Sequence, residues 1–357
     1  MQKRDIKSMT LSELEQELAA SGEPRFRAKQ IFEWMHGKQA ESFAEMTNLP
    51  KALRERMSEQ YEYRKISVVE ELTSAIDGTK KFLFGLHDGN VVESVWMRYQ
   101  HGCSVCISSQ VGCRMGCAFC ASTLGGLVRN LAASEMLEQV YQIGRITGER
   151  VSHVVVMGTG EPLDNYDELL RFIEIVSDEN GLNISQRNIT VSTCGLVEQI
   201  RRLAGEKLQI TLALSLHAPD QEKRERLMPI ARQYDIRDVV KACEEYFACT
   251  GRRITFEYAL IGGVNDSLLD AQALVRLIGG QNCHVNLIPV NPVRERKWVR
   301  SKTEVITAFK NSLDKSGIPV TLRREMGKDI NGACGQLRRS RMEQEQRIPA
   351  ASVSAKH

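Results

Sequence analysis

The chain has 357 residues, 42% hydrophobic and 26% charged, fractions near the globular average that exclude wholesale disorder and fibrous architectures. That length exceeds one ordinary domain but suits a single α/β barrel with a small appendage. Lys plus Arg (48) less Asp plus Glu (45) gives a net charge of +3, and residues 338–357, with five basic and two acidic side chains, hold all of it; a polyanionic partner must therefore be held by local patches and by that tail, since the rest of the chain has no global basic field.

The opening MQKRDIKSMTLSELEQELAASGEP lacks the apolar segment of a signal peptide, and no later stretch approaches the roughly 18 uninterrupted apolar residues of a membrane span. A cytoplasmic protein is expected. Residues 1–75 are read as a small helical unit. Ser12 and Glu15 have capping-box spacing before Leu18, Gly22 is a natural stop, and Phe26, Ile31 and Trp34 recur at helical intervals. Residues 76–102 form a β-hairpin extension, with strands near 80–86 and 91–98 separated by His87-Asp88-Gly89-Asn90, in which Asp-Gly is a strong turn signal. The odd positions of the second strand are Val91, Glu93, Val95 and Met97, so one face carries a single carboxylate among apolar side chains. Burial would raise its pKa and suit it to accept a proton; an exposed flank would leave an ordinary surface carboxylate.

From residue 103 to 337 short β-rich runs at 104–109, 153–157, 188–193, 208–215, 254–260 and 284–289 alternate with helix-length segments. Such alternation predicts parallel βα units, six of which make a partial (βα)6 barrel; 318–323 can add an edge strand. In such folds the working residues gather at the carboxyl ends of the strands. Those ends read 112–120, 158–161, 192–195, 215–217, 262–266 and Asn291, all rich in small or polar residues. Residues 338–357 show little apolar periodicity and are expected to be a basic, disordered tail.

Ten cysteines in a reducing compartment point to metal binding or reactivity rather than a disulfide framework. Cys113, Cys117 and Cys120 form CxxxCxxC directly after the first barrel strand. Three thiolates on one short loop can hold three irons of a 4Fe-4S cube and leave the fourth without a protein ligand. Zinc would want four ligands, and the paired CxxC spacing of zinc sites is missing from the rest of the chain. Cys103 and Cys106 spell CxxC, but on an extended strand positions three apart point to opposite faces. Cys334 lies in the Gly-flanked stretch Asn331-Gly332-Ala333-Cys334-Gly335, which favours an accessible loop and a reactive thiol.

The cysteine spacing and its strand context resemble the radical S-adenosylmethionine (SAM) superfamily. Ser108-Ser109-Gln110-Val111-Gly112-Cys113, Gly160-Glu161-Pro162-Leu163, Ser215-Leu216-His217-Ala218 and Ala333-Cys334-Gly335-Gln336-Leu337 together resemble the RlmN/Cfr family of RNA adenosine methyltransferases, over nearly the whole chain. Val111 and the Glu161-Pro162 pair are closer to its RlmN branch; Thr159 and Asn331-Gly332 depart from the common pattern. The resemblance implies a 4Fe-4S cluster on Cys113, Cys117 and Cys120, with SAM contacted by Gly160, Glu161, Ser192, Ser215, Leu216, His217 and Asn291. It makes Cys334 the carrier of a methyl group, Cys106 the thiol that resolves the protein–RNA adduct through a transient disulfide with Cys334, and Glu93 the acceptor of the adenine C2 proton. The implied substrates are an adenosine in 23S rRNA and the adenosine 3′ to the tRNA anticodon. An external electron donor such as flavodoxin or ferredoxin and a monomeric enzyme are also implied. Cfr-type methylation at C8, a radical SAM enzyme acting on a small molecule, and a zinc-stabilised RNA-binding module are the competing readings.

Two charged segments complete the reading. The stretch 294–302 places five cations around Trp298, able to neutralise phosphates while the ring stacks on a base, or else to form a solvated loop with a half-buried indole. Arg323 and Arg324 add charge nearby. The run Glu222-Lys223-Arg224-Glu225-Arg226 is read as an exposed helical face.

Overall fold

The computed structural model describes residues 3–100, 102–291 and 296–332. At the N-terminus β1 (Arg4–Asp5) runs parallel to β2 (Tyr61–Glu62), and between them lie α1 (Leu11–Ala20), α2 (Phe26–Phe32) and α3 (Lys51–Gln60). The capping box of α1 uses Thr10 and Glu13, two residues before the pair expected from sequence: Glu13 N donates to Thr10 Oγ1 and Thr10 N to Glu13 Oε2. Ile31 is buried as expected, but Phe26 is exposed, and Phe32 and Met35 fill the face in its place.

The centre of the molecule is one ten-stranded sheet. Its elements in chain order are β3 (Ser67–Thr73), β4 (Lys80–Gly85), β5 (Val91–Tyr99), β6 (Gly102–Ile107), α4 (Ala133–Thr147), β9 (Val151–Val156), α5 (Tyr166–Ser177), β10 (Ile189–Thr193), α6 (Val197–Gly205), β11 (Thr211–Ser215), α7 (Gln221–Leu227), α8 (Ile236–Thr250), β12 (Ile254–Leu260), α9 (Leu268–Ile278), β13 (Cys283–Pro289), α10 (Thr303–Lys315) and β14 (Val320–Leu322). A separate small hairpin, β7 (Gln110–Gly112) with β8 (Leu127–Asn130), leads into and out of the cysteine loop. Strand order is β14-β13-β12-β11-β10-β9-β6-β5-β4-β3, parallel from β14 to β6 and antiparallel from β6 to β3. The six expected βα strands and the edge strand are therefore present, and the hairpin β4–β5 continues the barrel sheet rather than standing beside it.

Residues 67–73, read as part of the helical unit, form the edge strand β3 instead. Its Glu70 and Glu71 side chains face water, and Lys80 Nζ bonds Glu71 Oε1 at 2.6 Å across the pair. Charged side chains on a solvent-facing edge suppress further pairing, and here Glu70 and Glu71 interrupt the short apolar signal of Val68 and Val69. Along β6, Val105 and Ile107 face the apolar layer under the helices while Cys106 faces the opposite side with Val95 and Met97. Cys103 takes the helix side and meets Glu149, so the CxxC pair does point apart.

The N-terminal helices dock on α4 and α5 through polar contacts. Lys7 Nζ bonds the Arg64 carbonyl at 2.8 Å and pairs with Glu138, both side chains being almost wholly buried. His36 Nδ1 lies 2.8 Å from Tyr141 Oη, and Arg171 Nη2 donates to Glu13 Oε1 at 2.6 Å. Among the described residues no helix is long and apolar enough to cross a membrane.

Candidate active site

The carboxyl ends of β6, β9, β10, β11, β12 and β13 surround one cavity, lined by Cys113, Cys117, Cys120, Gly160, Glu161, Ser192, Ser215, His217 and Asn291 among others. Nine of the sequence-expected residues thus meet in one place although they are spread over 179 positions (291 − 113 + 1). Leu216 does not line the cavity: its side chain is in the main apolar core and only its backbone N–H, bonded to the Glu257 carbonyl at 3.0 Å, approaches the site.

The cysteine loop is held from both sides. Cys113 N donates to Gly126 O at 3.0 Å, and a Cβ on Gly112, at φ +78°, would sit 1.9 Å from that oxygen, so the turn into the loop requires glycine. Ala118 N donates to Leu227 O at the end of α7 (2.8 Å), and Trp298 Nε1 donates to Ala118 O at the same distance. Arg296 Nη2 bonds Thr123 Oγ1 at 3.0 Å. The aromatic and one cation of the expected RNA patch are thereby turned onto the loop, and Arg300 pairs with Glu325; Arg294 lies outside the described residues. Burial pushes the Cys113 thiol up to about 12, and burial with the neighbouring Cys120, Cys113 and Glu161 raises Cys117 further. Such a donor set fits a cationic cluster, because bound metal supplies the positive charge these thiolates need. Among the described residues no three His, Cys, Asp or Glu side chains converge on a point that could hold a single ion; a cube that takes one iron per thiolate does not require such convergence.

Opposite the loop, Gly160 has φ +113°, and a Cβ there would sit 2.6 Å from Gln110 Cβ, so the backbone after β9 passes in direct contact with the loop motif. Gln110 joins the two motifs: its Oε1 accepts from Glu161 N at 2.8 Å while its Nε2 donates to Asn130 Oδ1 at 2.8 Å. The buried Glu161 carboxylate accepts N–H bonds from Cys194 (2.8 Å) and Leu163 (3.1 Å), and burial raises its pKa. Ser192 and Ser215 hydroxyls lie 3.3 Å apart on adjacent strands. His217 sits at φ +54°, held by Asn265 Nδ2 on its carbonyl (2.7 Å) and by the Ala259 N–H on its Nδ1 (2.9 Å). Burial lowers its pKa to about 3. The ring is neutral, and because Nδ1 accepts, its proton is on Nε2.

A second cavity adjoins the first, sharing Ile288, Asn291 and Arg323 with it, and is lined by Val95, Met97, Cys106 and Gly332. Cys106 stands opposite Val95 in the β5–β6 ladder. Glu93, two residues earlier on the same face of β5, is 3% exposed, so the hairpin is not an exposed flank. The sequence reading missed its counter-charge: Lys81 Nζ lies 3.3 Å from Glu93 Oε1. Lys81 and Leu83 share a strand face and Leu83 is registered opposite Glu93, so counting outward from the Asp-Gly turn would have found the pair. Cys334 lies outside the described residues, two positions beyond Gly332.

Glu257 was also missed. It lines the first cavity from β12, buried, with Asn286 Nδ2 at 3.0 and 3.2 Å and Arg323 Nη1 at 3.9 Å. Its signal was a lone carboxylate inside the apolar run ITFEYAL, the same criterion that singled out Glu93.

Comparison with known proteins follows this geometry. Residues 107–274 match the radical SAM superfamily, and residues 4–62 match the ribosomal RNA large subunit methyltransferase N-terminal domain. A probable dual-specificity RNA methyltransferase RlmN of Lachnospira eligens is 60% identical over 339 residues, 95% of this chain and 97% of the relative. A protein of the same description from Lachnoclostridium phytofermentans is also 60% identical, covering 95% of each chain. The crystal structure of a radical SAM methyltransferase from Sphaerobacter thermophilus superposes with a TM-score of 0.89 at 46% identity, over 94% of this chain and 99% of that one.

Proposed function

The chain belongs to the RlmN family of radical SAM enzymes, and from that premise we propose that it is a dual-specificity RNA methyltransferase, acting on C2 of an adenosine in 23S rRNA and of the adenosine 3′ to the tRNA anticodon. The likeness to RlmN relatives favours this over Cfr-type C8 methylation. One observation carries the reading: the cavity of Cys113, Cys117 and Cys120 adjoins the cavity that holds Cys106, and Ile288, Asn291 and Arg323 line both.

In this reading Cys113, Cys117 and Cys120 hold a 4Fe-4S cluster, while Gly160, Glu161, Ser192, Ser215, the backbone at Leu216, His217 and Asn291 surround SAM. When bound, cluster and SAM supply the methyl group and the radical chemistry that an electron-poor adenine carbon requires. Glu161 accepts the SAM ammonium by a charge-assisted hydrogen bond. Cys334 carries the methyl group to the base, and Glu93, balanced by Lys81, takes the proton from the substituted carbon. The Cys106 thiolate then attacks the Cys334 sulfur, the carbon–sulfur bond breaks with its electron pair passing to the product carbon, which takes up a proton to complete the methyl group, and a Cys106–Cys334 disulfide remains for external reduction. Gly332, two positions before Cys334 in the chain, lines the Cys106 cavity, which supports this pairing.

The N-terminal helices, which end at Gln60, grip the RNA, the hairpin of residues 76–102 positions Glu93, and residues 103–337 hold the cluster, SAM and the two cysteines of the methyl transfer. The enzyme works as a monomer in the cytoplasm, fed by a flavodoxin or ferredoxin type donor. Reconstituted Cys334→Ala protein is expected to cleave SAM reductively without methylating RNA, and Cys106→Ala to accumulate a covalent protein–RNA adduct. Nucleoside mass analysis should give 2-methyladenosine; 8-methyladenosine, or methyl transfer by Cys334→Ala, overturns the reading.

A further inference from the structure

The run read from sequence as an exposed helical face contains the largest wholly buried side chain among the described residues. Arg224, on α7, is 0% exposed. It shares the inner face of that short helix with Leu227, one turn on, while Glu222 and Arg226 face water. Its Nη2 donates to the Cys194 carbonyl at 2.6 Å, but Nε and Nη1 have no hydrogen-bond partner among the described residues, and no carboxylate among them pairs with the guanidinium. A permanent cation stripped of water costs several kcal/mol unless an opposite charge answers it, and a leucine or methionine would fill the space without that cost.

The surroundings show what answers it. Arg224 grips the backbone of Cys194, which lines the cysteine cavity and packs with Cys113, Met115 and Cys117. The same helix ends at Leu227, whose carbonyl receives Ala118 N of the cysteine loop at 2.8 Å. Burial raises the thiols of Cys117, Cys194 and Cys243, and the charge of Arg224 opposes that rise in each. Yet the side chain lines neither cavity.

We propose that Arg224 is the fixed counter-cation of the iron–sulfur cluster, a positioning residue that sets how readily the cluster accepts its electron. This rests on the cluster reading given above. Three thiolates outweigh a dicationic cube, so the occupied site is anionic, and it gains one more negative charge when a low-potential one-electron donor reduces it. A buried cation stabilises the reduced form more than the oxidised form, and cluster potentials follow local charge and solvent exposure in this way. At an effective dielectric of about 20, a unit charge roughly 10 Å from any redox centre changes its reduced-to-oxidised ratio by on the order of tenfold, or about 59 mV for a one-electron couple, and an effect of that order is what the test reads.

The test compares anaerobically reconstituted wild type with Arg224→Lys, Arg224→Gln and Arg224→Met, measuring iron content and following reduction in a potentiometric titration by electron paramagnetic resonance. The lysine variant should stay within about threefold of wild type, and the glutamine and methionine variants should need a poise about 59 mV lower for half-reduction. Glutamine keeps a donor for the Cys194 carbonyl, so it separates lost charge from lost support. An unchanged potential in either neutral variant overturns the proposal, as does a lysine variant that falls as far as glutamine. Iron lost from both neutral variants but kept by lysine supports it; iron lost from all three overturns it. If the wild type itself assembles no cluster, the cluster reading fails instead.

Discussion

The Glu161→Gln substitution asks most directly whether the cavity is built for a cationic amino group. In the folded chain both carboxylate oxygens already accept backbone N–H groups, Oε2 from Cys194 and Oε1 from Leu163. Glutamine keeps the volume but turns one acceptor into an NH2 that faces a donor, a loss of about 1–3 kcal/mol. Relief from burying a charge opposes that loss, so stability should change by less than about 2 kcal/mol. SAM binding has no such compensation. A hydrogen bond to a charged group contributes about 1.5–3 kcal/mol, which corresponds to an affinity about 10- to 150-fold weaker. Equilibrium binding of SAM to the anaerobically reconstituted protein, with iron content and denaturation midpoint measured in parallel, reads the two effects separately. An affinity within threefold of wild type at unchanged iron content would refute the role given to Glu161.

Three further outcomes are expected. Gly160→Ala combines a φ of +113° with a Cβ 2.6 Å from Gln110 Cβ, so it should lower stability in urea titration by about 2–5 kcal/mol; an unchanged midpoint would mean that the close approach of the two motifs is dispensable. Removing Lys7 or Glu138 alone leaves a buried charge and should cost about 3–5 kcal/mol, whereas the double change Lys7→Met with Glu138→Leu should recover most of that loss; a double variant as unstable as the sum of the singles would contradict the pairing. The segment leading to Cys334 is pinned to the β3–β4 turn by Asp77, which accepts Gly327 N at 2.9 Å, and by Asp329, which accepts Ser74 Oγ at 2.6 Å. Hydrogen bonds hold both carboxyls below the ordinary Asp value. Their contribution is therefore present above the unfolded value of about 3.9 and lost as pH falls through the lower folded values. Amide exchange protection of Gly327, corrected for intrinsic rate, should hold at pH 5 and fall in more acidic solution, and protection that is flat down to pH 2 would count against the clasp.

Local sequence spacing carried most of the chemistry. CxxxCxxC after a strand specifies three thiolates within one short loop whatever the rest of the chain does, and the small or polar strand ends gather at one mouth because parallel βα units all deliver their carboxyl ends to the same side. Gly160, Glu161, Ser192, Ser215, His217 and Asn291 were found in this way and line one cavity. The strands of the barrel were legible because each is a short β-rich run with at least one apolar, buried face. The edge strand β3 was not, because an edge needs only one partner and the Glu70-Glu71 pair interrupts its short apolar run.

Packing over long sequence distances decided the rest. Periodicity tells which face of an element a side chain occupies, but not which face another element covers. Arg224 sits among charged neighbours, and only the position of α7 behind the cysteine loop shows that its face points inward. Trp298 and Arg296 had the composition of an RNA patch, yet a loop some 180 residues earlier in the chain takes the indole N–H, and Thr123 takes the guanidinium. Sequence alone thus determined which reactive groups the protein possesses and on which local frames they ride. Only the tertiary structure decided which charges are buried and what they face, because the energy of a charge depends on the medium and the counter-charge around it, and both come from distant parts of the chain.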